Sequence, residues 1–233
     1  MKSYLKFETA LICDNDFSES NIKNVFECFS EKGFKKFIFL LDFDFDHKLP
    51  EDGIEKIKML RKRISTLKPR AFQAEIFFNF TFSSDLSDNP YLSKMNGSKN
   101  DLLFLSMPPF YNDEEINSTL NNLLYKQKLL PVFTSFERNI KTCDDEYLNK
   151  FVFKSTAGIF ALDFKYLTND APNVHAVLEK AIADGIHIVP CFSMPLFYYA
   201  DYEHSLSDFQ GNCDSQFCIK LSRHIHSSFL LFK

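Results

Sequence analysis

Three groups of residues in the 233-residue sequence have types and spacings that could do chemistry. The first is Asp-Phe-Asp-Phe-Asp-His, Asp42 to His47. Alternation along a strand puts Asp42, Asp44 and Asp46 on one face, with Phe43 and Phe45 on the other. Carboxylate oxygens are hard ligands for divalent cations. Alternate strand residues are about 6.6 Å apart, however, so three such carboxylates close on one ion only if the chain turns after Asp42. The expectation is a strand running out into solvent with an acidic face, and Asp42 is the member nearest the strand end. The second group lies in LLPVFTSFERNI, Leu129 to Ile140, where a β-rich run ends in Ser135, Glu137 and Arg138. A guanidinium fork suits phosphate or carboxylate, and a serine hydroxyl adds a donor. A purely structural Glu137–Arg138 cluster holding the loop is equally consistent with these residues. Asp163 and Lys165 stand near the next strand end as possible neighbours.

The third group is histidine and cysteine. His224 and His226 form a His-x-His in a stretch where Phe217, Leu221 and Ile225 recur at helical spacing, so on a helix the two rings diverge. Cys213, Cys218 and His224 match no familiar zinc spacing. His175 and His187 read as hydrogen-bonded structural residues. The six cysteines include no Cys-x-x-Cys pair and read as reduced, mostly buried thiols. A cysteine phosphatase needs an Arg six residues after its thiolate; for Cys191 that position is Phe197. The six glycines are spread singly, so no glycine-rich phosphate loop is present.

The elements that must position these groups follow from hydrophobic pattern. Apolar β-rich runs at Tyr4–Cys13, Phe34–Phe43, Phe72–Phe82, Leu102–Ser106, Leu130–Thr134, Ile159–Phe164 and Ile186–Cys191 predict seven strands. Between them, Ser18–Lys32, Pro50–Leu67, Asn112–Gln127 and Ala171–Asp184 carry helical spacing and helix punctuation. The polar stretch Ser83–Asp101 reads as one long surface loop. A repeated strand–helix–strand rhythm argues a parallel sheet, and seven strands favour a closed or distorted barrel in an α/β chain. A single domain over residues 1–233 is expected. The site is then sought at the carboxyl ends of the strands.

Composition bounds the partners. Lys and Arg number 27 against 31 Asp and Glu, a net charge of −4, which leaves no electrostatic footprint for nucleic acid. No apolar run approaches the roughly 20 residues needed to span a bilayer. Glu8 interrupts the first apolar stretch before a secretory signal develops, so a cytoplasmic protein is expected. Phe occurs 28 times and Trp not at all, which predicts a core packed with phenyl rings.

The segment Leu129–Ile140 resembles the strand and Ala-His-Pro-Glu-Arg motif of the PHP (polymerase and histidinol phosphatase) superfamily, in the branch of manganese-dependent protein-tyrosine phosphatases from bacterial capsule and exopolysaccharide operons. Pro131, Glu137, Arg138 and Asn139 match. EKGFKKFIFL, NDLLFLSMPPFYNDEEI, STAGIFALDFKYL and LEKAIADGIHIVPCFSMP are similar to further segments in the family's order, so the resemblance spans nearly the whole chain. It implies a distorted (β/α)7 barrel of PHP type and a site holding two or three metal ions. The family's ligands, however, are replaced. The first strand has no His-x-His; the motif's ligand His is Ser135; Phe192 and Met194 stand at the final Asp-x-His; Asn79 takes the place of a Glu after the third strand; and Asp42 falls near the His after the second. Phe and Met offer nothing to manganese. Without metal, both the activated hydroxide and the charge that neutralises a phosphoryl transition state are lost. The expectation is a metal-free pseudoenzyme without cofactor, with Asp42, Asn79, Ser135, Glu137 and Arg138 as ligand-binding residues. By resemblance its partner would be a phosphotyrosine tail of a polysaccharide-assembly kinase or another phosphorylated protein. The competing expectation is an active phosphoesterase with a rebuilt metal site drawn from Asp42, Asp44, His47 or Asp163.

Overall fold

The computed structural model describes residues 7–14, 17–96, 101–106, 113–134, 158–164, 172–193, 207 and 214–232. Seven strands, β1 (Thr9–Asp14), β2 (Lys36–Phe43), β3 (Gln73–Thr81), β4 (Leu102–Ser106), β5 (Leu130–Thr134), β6 (Ile159–Asp163) and β7 (His187–Ser193), close into an all-parallel barrel in chain order. β7 returns to β1 through Leu11 opposite Cys191 and Cys13 opposite Ser193. All seven expected strands are found.

The helices form where local chemistry starts and stops them. The hydroxyl of Ser18 accepts from the Asn21 N–H at 3.2 Å and caps α1 (Glu19–Ser30), which buries Ile22, Val25, Phe26 and Phe29. Gly33 then takes a positive φ of 89°, and the chain enters β2. α2 (Pro50–Leu67) opens on Pro50 with Glu51 and Asp52 in its first turn, where negative charge complements the helix dipole. Its Gly53 lies against Phe43; a Cβ there would come within 2.4 Å of that ring's Cε2. α3 (Leu92–Met95) is one turn, and α4 (Asp113–Asn121) continues as a π-helical turn over Asn122–Lys126. α5 (Pro172–Ala183) stops at Gly185, φ 70°. α6 (Ser215–Phe229) closes the chain and ends in a 3-10 turn, Leu230–Phe232. Among the described residues no helix is long and apolar enough to cross a membrane.

Strand parity divides the core in two. Outward residues such as Phe37, Phe39, Phe80 and Phe133 meet the helices in a phenyl-rich layer, with edge-on pairs such as Phe26–Phe37 at 5.0 Å and Phe29–Phe34 at 5.0 Å between centroids. Inward residues Leu11, Ile38, Leu40, Phe104, Val132, Ala161 and Val189 fill the lumen. Phe232 enters from the amino-terminal end and reaches Phe104 at 6.2 Å, while Lys36 Nζ donates to the Phe232 carbonyl at 2.7 Å. The phenyl-packed core expected from composition is thus present.

Two local expectations are corrected. Ser83–Asp101 is no bare surface loop, because it carries a 3-10 turn (Leu86–Asp88) and α3, and Leu86, Leu92 and Met95 are buried. These three apolar side chains, set in a polar frame, pin the segment to the barrel. It is also tied to the next helix, since Thr119 Oγ1 donates to the Ser84 carbonyl at 2.6 Å and Gln127 donates to the Ser87 carbonyl. Asp42 to His47, in turn, does not run on as a strand. β2 ends at Phe43, and Asp44 closes a turn by accepting from the Asp46 N–H at 3.0 Å and facing His47 Nδ1 at 3.2 Å. An Asp side chain bonding its own backbone two residues on competes well with a strand that has run out of partners.

Candidate functional site at the barrel mouth

The carboxyl ends of the strands bring Cys13, Asp42, Asn79, Ser106, Thr134, Asp163 and Cys191 onto the lumen face. Register places them there: Asp42 is opposite Asn79, Ser106 opposite Thr134, and Asp163 opposite Cys191, each in phase with the apolar lumen residues below.

At the centre of this rim is a hydrogen-bonded chain. Asn79 Nδ2 donates to Asp42 Oδ1 at 2.6 Å, and Thr134 Oγ1 donates to Asn79 Oδ1 at 2.8 Å, with the Leu105 carbonyl a second acceptor at 3.3 Å. Asn79 is 2% exposed and Thr134 0%. Buried polar groups are costly when unpaired, and here both ends of the Asn79 amide are occupied by protein. The arrangement fixes the amide orientation, because the carboxylate can only accept and the hydroxyl donates. Beside it, Lys48 Nζ donates to the Asp42 backbone carbonyl at 3.0 Å, above a cleft of about 290 Å³ lined by Asp42, Phe43, His47 and Lys48.

Of the residues expected to bind ligand, Asp42 and Asn79 are thus brought together, while Ser135, Glu137 and Arg138 lie outside the described residues, as do Met194 and Lys165. Thr134, which precedes them, is the member that sequence reasoning misses. Its phase with Val132 was the available signal, since alternate residues of a barrel strand share the lumen.

The expectation for the last strand needs a correction. Phe192 does not occupy a rim position. It points outward, packed 4.8 Å from Phe29, 5.8 Å from Phe34 and 5.4 Å from Phe164 between ring centroids. The lumen-facing neighbour is Cys191, and a shift of one residue moves every side chain to the other face.

Manganese ions are what the family resemblance implies for this rim. Such ions take several carboxylate or imidazole ligands, and among the described residues no three His, Cys, Asp or Glu side chains converge. Asp44 and His47, candidates for a rebuilt site, face each other in their own turn, with His47 78% exposed. Among the described residues no cysteine is in a disulfide; burial, followed by the charges of Glu27 and Glu31, pushes Cys28 up from its usual range, away from a reactive thiolate. His224 and His226 sit on α6, whose buried residues include Phe217, Leu221 and Ile225, as the helical spacing predicts.

No family profile matches the sequence, and no curated protein does either. Solved structures do match. The crystal structures of YwqE from Bacillus subtilis and CpsB from Streptococcus pneumoniae, described as unique metal-dependent tyrosine phosphatases, align at a TM-score of 0.66 and 12% identity, covering 98% of this chain and 92% of that one. A phospho-2-dehydro-3-deoxyheptonate aldolase from Thermotoga maritima aligns at a TM-score of 0.47 and 15% identity, over 96% of this chain and 69% of that one, and carries no argument. The closed seven-stranded parallel barrel with its flanking helices is therefore the PHP-type fold of those tyrosine phosphatases.

Proposed function

We propose that this chain is a diverged PHP-type barrel, one domain over residues 1–233, that works without metal as a binding or regulatory protein and not as a phosphatase. The observation that carries this reading is the Asp42–Asn79–Thr134 chain. Asp42 and Asn79 are the positions that the family resemblance assigns to metal ligands, and their polar atoms are directed at each other. An amide and a hydroxyl neither deprotonate a bound water nor neutralise a phosphoryl transition state as a metal does. What the described mouth offers is hydrogen bonding, and Ser135, Glu137 and Arg138, which follow β5 in sequence, are the proposed anion-recognising group. A phosphorylated protein, such as a kinase tail bearing phosphotyrosine, is the proposed partner class, in the cytoplasm.

The test is thermal unfolding of the full chain with increasing manganese, together with binding of a phosphotyrosine peptide and its hydrolysis. The melting temperature is expected to stay constant as manganese rises, the peptide to bind without turnover, and Arg138→Ala to lose binding while keeping its fold. Stabilisation that grows with metal concentration, or metal-dependent release of phosphate, would instead establish a rebuilt catalytic site.

A further inference from the structure

The far end of the barrel carries a feature that the mouth does not explain. His187, the first residue of β7, and His224 on α6 lie with ring centroids 6.4 Å apart and planes 17° from parallel. Each is held by one nitrogen. His224 Nε2 faces the Ile186 carbonyl at 2.5 Å, and because a carbonyl only accepts, that nitrogen carries hydrogen. Ser228 Oγ gives its hydrogen to the His224 carbonyl at 2.9 Å, so at 3.3 Å it accepts from His187 Nδ1. The neutral pair therefore fits the contact, with one N–H per ring already used. A proton added to His187 goes to Nε2, in a half-buried place that faces another imidazole. Burial first, and the neighbouring His224 second, hold His187 below the usual imidazole range.

What this pair fastens is the C-terminal segment. Phe217, Leu221 and Ile225 seat α6, and Phe232 plugs the lumen against Phe104. The other charges around the joint do not duplicate the pair. Lys220, Arg223 and His226 of α6 are exposed; Lys36 is on the Phe232 carbonyl; and Glu8 lines a small cleft with His226 and Lys36. On α5, Lys180 pairs with Asp184 at 2.8 Å. His175 stacks on Phe217 at 4.2 Å and faces Glu179 at 3.8 Å.

We propose that α6 and its Phe232 plug form an acid-released latch, in which protonation of His187, where it meets His224 and Ser228, loosens the C-terminal segment and opens the amino-terminal end of the barrel. The sign follows from linkage. Above the ordinary imidazole pKa near 6.5, His187 is neutral whether docked or free. Below it His187 takes the proton more readily once α6 has left, so docking weakens as the pH falls.

Amide hydrogen exchange of the full chain at pH 7.5 and 5.5, corrected for intrinsic rates, tests this. Protection of the α6 amides is expected to fall by roughly tenfold relative to β2 and β3. His187→Gln should keep equal protection at both pH values, and His226→Gln should behave like the wild type. Equal protection in the wild-type chain, or an undiminished acid loss in His187→Gln, would overturn the latch. Should His187→Gln not fold, proton NMR of the wild type decides. His187 titrating below a free imidazole, together with loss of the Phe104–Phe232 contact, supports the latch, and titration at the ordinary value refutes it.

Discussion

The two ends of this barrel are closed by different physics. At the amino-terminal end the lumen is filled by apolar bulk, as Phe77 stacks on Phe104 at 5.7 Å and Phe232 completes the layer. At the carboxyl end the same lumen face carries Asp42, Asn79 and Thr134, joined by directional bonds of 2.6 and 2.8 Å. Apolar packing rewards volume and tolerates any side chain of similar size. A buried polar chain rewards identity, because each atom needs one partner of the opposite kind. The first end can therefore drift in sequence while keeping its shape, whereas the second constrains chemistry at three positions.

The largest effect that would expose this contrast is Phe104→Ala. The side chain is fully buried, and removing it leaves a cavity between Phe77 and Phe232, with an expected loss of about 3–5 kcal/mol in urea unfolding. Phe104→Leu should recover most of that. A loss below about 1 kcal/mol for the alanine variant would mean that the plug rearranges to fill the space.

At the mouth, Asn79→Asp keeps the size and changes one donor into an acceptor. Two carboxyl groups then meet where Asn79 Nδ2 donated to Asp42 Oδ1 at 2.6 Å. Such a pair shares a proton, so its folded-state affinity for that proton is raised. The variant is expected to hold near wild-type stability below about pH 4 and to lose about 1–3 kcal/mol as the pH rises to 7. Denaturant midpoints across pH measure this, and a parallel offset at every pH would show that the mouth does not discriminate charge. Manganese added to this variant also sharpens the functional reading. Stabilisation by metal in the variant and not in the wild type would mark the Asn79 amide as the group that keeps the cation out.

How far each end was legible in the sequence follows the same division. The strands and helices are carried by apolar periodicity, which the seven β-runs and the Pro50–Leu67 pattern display openly. Gly53 gave no such signal, since its role rests on Phe43 arriving from a different element. Asp42 and Asn79 were legible as rim residues, but their bond was not, because the partners lie on separate strands and only register joins them. Phe192 was placed on the wrong face because a resemblance fixes position to within a residue or so, while a strand requires parity. The turn at Asp44 was hidden for another reason: alternating Asp and Phe satisfies a strand pattern equally well until the strand loses its neighbours.

The smallest expected effect isolates the hydroxyl of Thr134. Thr134→Val conserves volume and removes the donor to Asn79 Oδ1, leaving a buried amide oxygen unpaired, at a cost of about 1–3 kcal/mol. Thr134→Ser keeps the donor and removes one methyl group, at a cost of about 1 kcal/mol. At the apolar end of the lumen the order would be reversed, since there a lost methyl group counts and a hydroxyl is only a burden. Measured side by side by urea unfolding, Val worse than Ser would establish that the mouth is held by its hydrogen bonds. Ser equal to or worse than Val would mean that Thr134 acts by filling space, and that the two ends of the barrel are closed by the same means after all.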